Sequence, residues 1–315
     1  IGETTGLGEL KKALQSDSFK VADREGKVEQ RDIRADWVQH ALKFVDLGRL
    51  KPYKLAIDAG NGMAGVVIPQ LEEQTPFAIT GLFVEPDGNF PNHPANPIIE
   101  ANLRDVIALM HEKNLDLGIA FDGDGDRAVL IDERKRPVAP SILGALLIEN
   151  YLAINPGASI IYDVRASHIV RDTIAKHGGV GVRSKVGHSN IKALMHEHKA
   201  ILGVEQSAHY YFRDNYFADS GLIAALVALD IVSRSGQELS ELVDRLSLYS
   251  NSGEVNMPVG DTEAKLRELR MAYSDGQQDE LDGLTVEYSE WWFNVRPSNT
   301  EPLLRLSVES KEAAL

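Results

Sequence analysis

Three aspartates at alternate positions, Asp122, Asp124 and Asp126, stand in a run that reads Asp-Gly-Asp-Gly-Asp-Arg. The run lies between two stretches of strand-forming residues, Leu117–Phe121 and Ala128–Ile131. Carboxylates at i, i+2 and i+4 share one side of an extended chain, and the intervening glycines let it curl until three oxygens reach one ion. The set contains no nitrogen or sulfur ligand, so the expected occupant is a hard divalent cation, Mg²⁺ first, with positions left open for phosphate oxygens. A calcium EF-hand is excluded even though Glu133 falls at its twelfth position. The sixth position, where glycine is required, is Arg127, and both flanks read as strands. The remaining alternative, a solvated acidic hairpin, would crowd three like charges without a counter-ion.

Two other loops carry reactive groups. Gly203-Val-Glu205-Gln-Ser207-Ala-His209 offers a carboxylate, a hydroxyl and an imidazole within five residues. Glu205 and Ser207 suit vicinal sugar hydroxyls, and His209 can move a proton near neutral pH. The aromatic run that follows, Tyr210-Tyr211-Phe212, is expected in the core. Arg296-Pro-Ser298-Asn299-Thr300-Glu-Pro302 combines a guanidinium, two hydroxyls and an amide in a proline-stiffened turn, either a donor nest for phosphate or an ordinary polar turn. Lys185-Val-Gly-His188-Ser189 ends near a helix start, where Ser189 is a candidate cap. Arg165, at a strand end, is a surface charge or a phosphate contact. Ser167, just before an amphipathic helix, reads as an N-cap rather than a nucleophile.

One motif misleads. Gly60-Asn-Gly-Met-Ala-Gly65 matches G-x-G-x-x-G between a strand and a helix, with Glu85 beyond it, and on pattern alone suggests an NAD-dependent oxidoreductase. Asp58, two residues upstream, would face the pyrophosphate, and the stretch 86–97 holds four prolines. A structural tight turn is the better reading.

The elements that must position these loops alternate between strand and helix. The 315 residues suggest about two domains. With 33 basic against 47 acidic side chains the net charge is −14, which excludes nucleic acid as the main partner. There is no cysteine, hence no disulfide or thiolate chemistry. The longest apolar run, 221–229, is too short for a bilayer, and no signal segment opens the chain. A cytoplasmic protein without a membrane partner is expected. Asp36 is expected to cap a helix. Strands are expected at 54–57, 82–84 and 117–121, with helices at 66–73 and through Leu103, Ile107 and Met110. A second strand–helix unit starts near Pro140 and ends with an apolar helix at 222–232, and the two units could be structural copies. A helix at 263–271 and strands at 284–288, 292–295 and 303–308 close the chain. The fold class is therefore α/β: consecutive three-layer α/β/α domains plus a small C-terminal α+β domain. The expected divisions are 1–33, 34–138 with the acidic loop, 139–251 with the histidine loop, and 252–315 with the arginine loop.

Six segments occur in order: DAGNGMAG at 58–65, PDGNFPNHPANP at 86–97, DGDGDR at 122–127, KVGHSNIK at 185–192, GVEQSAHYYFRD at 203–214 and RPSNTEP at 296–302. Together they resemble the α-D-phosphohexomutase family, most closely its bacterial phosphomannomutase/phosphoglucomutase branch. In that family the glycine turn is structural. The resemblance implies four domains around one cleft, Asp122, Asp124 and Asp126 holding Mg²⁺, and Arg127 beside the transferring phosphate. It further implies Glu205 and Ser207 on sugar hydroxyls and His209 as the proton-transfer residue. Arg296, Ser298, Asn299 and Thr300 would hold the other phosphate, and Arg165, Lys185 and His188 would contact substrate.

The implied reaction interconverts hexose 6-phosphate and hexose 1-phosphate through a phosphoserine. Glucose 1,6-bisphosphate or mannose 1,6-bisphosphate would be its intermediate. Three positions depart mildly: Val204 and Ala208 where glycine is common, and Arg165 where many members have lysine. The larger departure is that the family's phosphorylated serine, in a first-domain T-A-S-H-N-P-type loop, has no counterpart in these residues. The chain thus resembles domains two to four, with 1–33 as the tail of the first domain. A non-catalytic sugar-phosphate binding module and a phosphoglucosamine mutase are the alternative readings.

Overall fold

The computed structural model describes residues 6–16, 23–298 and 302–312. A short helix with no buried residue, α1 (Gly8–Gln15), precedes α2 (Arg34–Leu42), which buries Val38, Ala41 and Leu42. Asp36 does not cap α2. The N-cap is Ile33, and Asp36 lies within the first turn, paired with Arg31 at 2.7 Å.

The first α/β unit runs β1 (Lys54–Asp58), α3 (Ile68–Gln74), β2 (Ala78–Leu82), α4 (Arg104–Glu112), β3 (Leu117–Phe121) and β4 (Ala128–Ile131). Its sheet has the order β2-β1-β3-β4, with β1 parallel to both neighbours and β4 antiparallel to β3. β2 ends where the sequence reading had it begin: Phe83 adopts φ +48, a left-handed conformation that no strand continues through.

The second unit opens with α5 (Pro140–Ile154), followed by β5 (Ser159–Asp163), α6 (His168–Lys176), β6 (Val180–Ser184), α7 (His188–Glu197), β7 (Leu202–Val204), β8 (Tyr210–Phe212), β9 (Ala218–Asp219), α8 (Gly221–Ser235) and α9 (Leu239–Leu246). Its strand order, β6-β5-β7-β8-β9, repeats the first sheet, with parallel β5, β6 and β7 followed by antiparallel β8. The two units are copies in topology. α5 and α8 are apolar around most of their circumference, so both must be enclosed. α8 packs against α5, α2 and β4, and one apolar core runs through both units.

The last unit is an antiparallel sheet of β10 (Ser250–Pro258), β11 (Gln277–Asp279), β12 (Leu284–Glu287), β13 (Trp291–Pro297) and β14 (Leu303–Ser310), in the order β10-β14-β13-β12-β11. With α10 (Thr262–Ala272) it encloses its own core of Leu266, Leu284, Val286, Phe293, Val295 and Leu304. The fold is mixed α/β with three sheet-containing units. No helix among the described residues is long and apolar enough to cross a membrane.

Candidate functional site

The acidic loop joins β3 to β4. Asp122 is almost fully buried; its Oδ1 accepts the N–H groups of Gly125 (3.0 Å) and Arg127 (3.1 Å), and its Oδ2 accepts Arg127 Nε at 2.6 Å. These bonds curl the loop, and Gly125 supplies the turn at φ +79. One oxygen from each of Asp122, Asp124 and Asp126 then lies within 4.8 Å of the others. Three carboxylates with no softer donor make a set that fits a hard divalent cation.

The glycine turn props this loop. Gly60 N–H donates to Asp58 Oδ1, Asn61 N–H to the Phe83 carbonyl, Gly62 N–H to Ala59 and Met63 N–H to Gly123. These four amides are committed to acceptors within the protein rather than to a pyrophosphate. A Cβ on Gly62 would stand 2.6 Å from the Gly123 carbonyl oxygen, so the glycine serves close backbone packing. Asp58 also accepts His93 Nε2 at 3.0 Å.

The histidine loop occupies the equivalent place in the second sheet, between β7 and β8. Arg127 and His209 form an antiparallel bridge, which joins the two loops backbone to backbone. His209 Nδ1 lies 2.8 Å from Ser207 Oγ, and Nε2 lies 3.4 Å from Asp126 Oδ1. Burial opposes charge on His209, but Asp126 and Glu205 outweigh it and move its pKa upward. Glu205 is buried; Oε1 accepts Gly187 N–H at 3.0 Å and Oε2 accepts the Tyr211 hydroxyl. Tyr210, Tyr211 and Phe212 are fully buried. Ala208 stands at φ +65, a conformation that glycine adopts without strain.

Arg165 and Arg296 are both more than nine-tenths buried. Asp163 takes Arg165 Nη2 at 2.6 Å. Desolvation works against the Arg165 charge, yet Asp163 prevails and holds its pKa above the ordinary value. Ser298 is near Arg305, whose Nη2 lies 3.4 Å from Ser298 Oγ. Asn299 and Thr300 lie outside the described residues.

A cleft of about 630 Å³ gathers Asp124, Asp126, Arg165, His188, Glu205, Ser207, His209, Arg296 and Ser298 on one wall system. Asp122 and Arg127 do not line it. Lys185 is exposed and does not line the cleft. His188 begins α7, whose N-cap is Gly187 at φ +116, so Ser189 is not the cap. Ser167 does cap α6, accepting Ile169 N–H at 3.2 Å. The cleft also holds Lys192, Asp219 and Arg305, which the sequence reading did not single out. Lys192 sits inside the 185–192 segment and pairs with Asp219 at 2.9 Å. Neither Asp219 nor Arg305 belongs to a recognisable motif.

Two topologically equivalent α/β units, an antiparallel C-terminal unit and one polar cleft among them define the phosphohexomutase architecture. The family's models match in order: the α/β/α domain II at residues 35–135, the α/β/α domain III at 140–249 and the C-terminal domain at 254–315. The chain belongs to the phosphoglucomutase/phosphomannomutase family. It is 37% identical over 319 residues to phosphohexose mutases of Xanthomonas campestris, covering 100% of this chain and 71% of the relative. It is 37% identical over 324 residues to an Escherichia coli phosphomannomutase, covering 99% and 71%. A phosphoglucomutase/phosphomannomutase family protein from Burkholderia thailandensis superposes with a TM-score of 0.89 at 33% identity, covering 100% of this chain and 67% of that one.

Proposed function

We propose that the chain carries the metal, sugar and phosphate sites of a mutase that interconverts hexose 6-phosphates and hexose 1-phosphates through a phosphoserine and a bisphosphorylated sugar. The observation that carries this reading is the single cleft lined together by Asp124, Asp126, Glu205, Ser207, His209, Arg296 and Ser298. A phosphorylated sugar needs that combination of groups: carboxylates for a metal, hydroxyl-binding side chains and a guanidinium for phosphate. Glu205 and Ser207 bind hydroxyls common to both orientations, Arg296 and the loop around it hold the phosphate that is not moving, and Arg165 and His188 add contacts near it. Arg127 balances charge on the transferring group, and His209 moves the proton of the reacting hydroxyl. Mg²⁺ held by Asp122, Asp124 and Asp126 would neutralise charge on the transferring phosphoryl group. Glucose 1,6-bisphosphate or mannose 1,6-bisphosphate is the proposed intermediate. The former occurs in a complex of an Aspergillus fumigatus N-acetylphosphoglucosamine mutase that shares this fold. The proposed divisions at 34–138, 139–251 and 252–315 give each loop its own unit.

The test is competition. Glucose 1-phosphate and glucose 6-phosphate should each saturate one site on the 315-residue chain in calorimetry, and each should exclude the other. Independent sites, or binding of one isomer alone, would count against a shared cleft.

A further inference from the structure

Glu254 lies on β10, the strand that leads from the second α/β unit into the last one, just after a register shift against β14 and a left-handed Gly253 at φ +69. Its two oxygens hold three guanidiniums. Oε2 accepts Arg165 Nη1 at 3.3 Å and Arg296 Nη2 at 2.9 Å, and Oε1 accepts Arg305 Nη1 at 3.0 Å. Arg165 belongs to the second unit, and Arg296 and Arg305 to the last. All three arginines line the cleft, whereas Glu254 contributes nothing to its wall.

We propose that Glu254 is a positioning residue: without lining the cleft itself, it gathers guanidiniums from two units into one cradle for a phosphate dianion. The inference rests on the reading of Arg296 as a phosphate ligand. Three like charges this close repel, and two of them are nine-tenths buried, where water screens them least. One shared carboxylate offsets that repulsion and fixes the arginines relative to one another. With Asp163 also paired to Arg165, the five side chains sum to +1, so the cradle keeps a net charge for an anion. Arg296 Nε and Arg305 Nε are buried and find no acceptor among the described residues. The Nη contacts to Glu254 therefore direct these side chains, joined at Arg305 by the contact of Nη2 with Ser298 Oγ. Glu254 is itself held ionised: burial raises its pKa, and the three arginines lower it further than burial raises it.

The test uses the 315-residue chain titrated with inorganic phosphate and with glucose 1-phosphate. E254Q should weaken both by about tenfold or more, the effect of losing a charge-assisted bond. Mn²⁺ affinity at the acidic loop should stay unchanged. E254D keeps the charge on a shorter arm and should recover part of the loss. A residue needed only for packing would show the reverse order, with the isosteric glutamine the milder change. Thermal unfolding checks each variant, and E254D carries the comparison if E254Q does not fold. Unchanged or tighter phosphate binding in E254Q would overturn the proposal. R296A separates the two claims. If R296A binds phosphate as the unmodified chain does, the phosphate-loop reading fails; if R296A is weakened and E254Q is not, only the role of Glu254 fails.

Discussion

Gly221 opens α8 directly against the acidic loop, and its N–H donates to the Gly125 carbonyl at 3.2 Å. A Cβ placed there would stand 2.7 Å from the Arg127 carbonyl carbon and oxygen and 3.0 Å from the Gly125 oxygen. Those partners are backbone, so the missing ~0.7 Å of contact distance must come from moving the loop or the helix. Overpacking of this kind costs about 1–3 kcal/mol, and the higher helix propensity of alanine returns at most ~1 kcal/mol. Gly221→Ala should therefore destabilise the chain by about 1–2 kcal/mol in urea unfolding. The second effect matters more for function. A carboxylate set displaced by about half an ångström loses its shared geometry, so Mn²⁺ affinity should fall by about tenfold. Unchanged stability together with unchanged Mn²⁺ affinity would refute the argument that α8 presses the metal loop into shape.

Asp124→Asn should weaken Mn²⁺ binding while leaving urea unfolding close to that of the unmodified chain, because Asp124 is an exposed loop residue. Arg296→Ala should cost about 1.5–3 kcal/mol in glucose 1-phosphate affinity and spare Mn²⁺; equal loss of both would make the arginine loop a structural turn. Glu287 accepts Arg171 Nη1 at 3.2 Å and lies 3.8 Å from His168 Nε2 across the junction of the second and last units. Its pKa is pushed down to about 2, chiefly by His168 and then Arg171 against the opposing effect of burial. A depressed carboxylate stabilises the fold above its ordinary range near pH 4.5, and that contribution is lost as pH falls toward 2. Glu287→Gln should therefore remove about 1 kcal/mol at neutral pH and flatten the acid limb of a stability–pH curve. Ser167→Ala should cost about 1 kcal/mol as a lost cap. The 315-residue chain given glucose 1-phosphate, glucose 1,6-bisphosphate and Mg²⁺ should form no glucose 6-phosphate, with or without that substitution. Turnover that vanishes in Ser167→Ala would place the nucleophile at the cap.

Where the sequence was legible, local chemistry and burial agreed. β3 and β4 fall where the apolar runs around the acidic loop put them, because both strands are buried along their length. β10 was not legible. Its first five residues, Ser-Asn-Ser-Gly-Glu, carry no apolar side chain, since an exposed edge strand is held by its ladder to β14 rather than by a buried face. The site divides the same way. The acidic, histidine and arginine loops, picked out by residue type, each contribute to one cleft, and Ser167 is the cap it reads as, whereas Lys185 stays outside the cleft and Ser189 is no cap. Arg305 could not be read, because one cation in a strand carries no signal until the fold sets it beside Arg296. The bridge between Arg127 and His209 was also invisible: it depends on two topologically equivalent loops meeting, and neither loop encodes the other.

In the proposed function one cleft holds a metal through the acidic loop, a phosphate through Arg296 and a sugar through Glu205 and Ser207. A crystal structure of the 315-residue chain with Mn²⁺ and glucose 1-phosphate tests it most directly. An anomalous Mn²⁺ peak is expected among Asp122, Asp124 and Asp126, with sugar hydroxyls on Glu205 and Ser207 and the phosphate on Arg296. A peak instead among Asp126, His209 and Asp219, whose ligand atoms also lie within 4.8 Å of one another, would contradict it. So would a sugar bound outside the cleft.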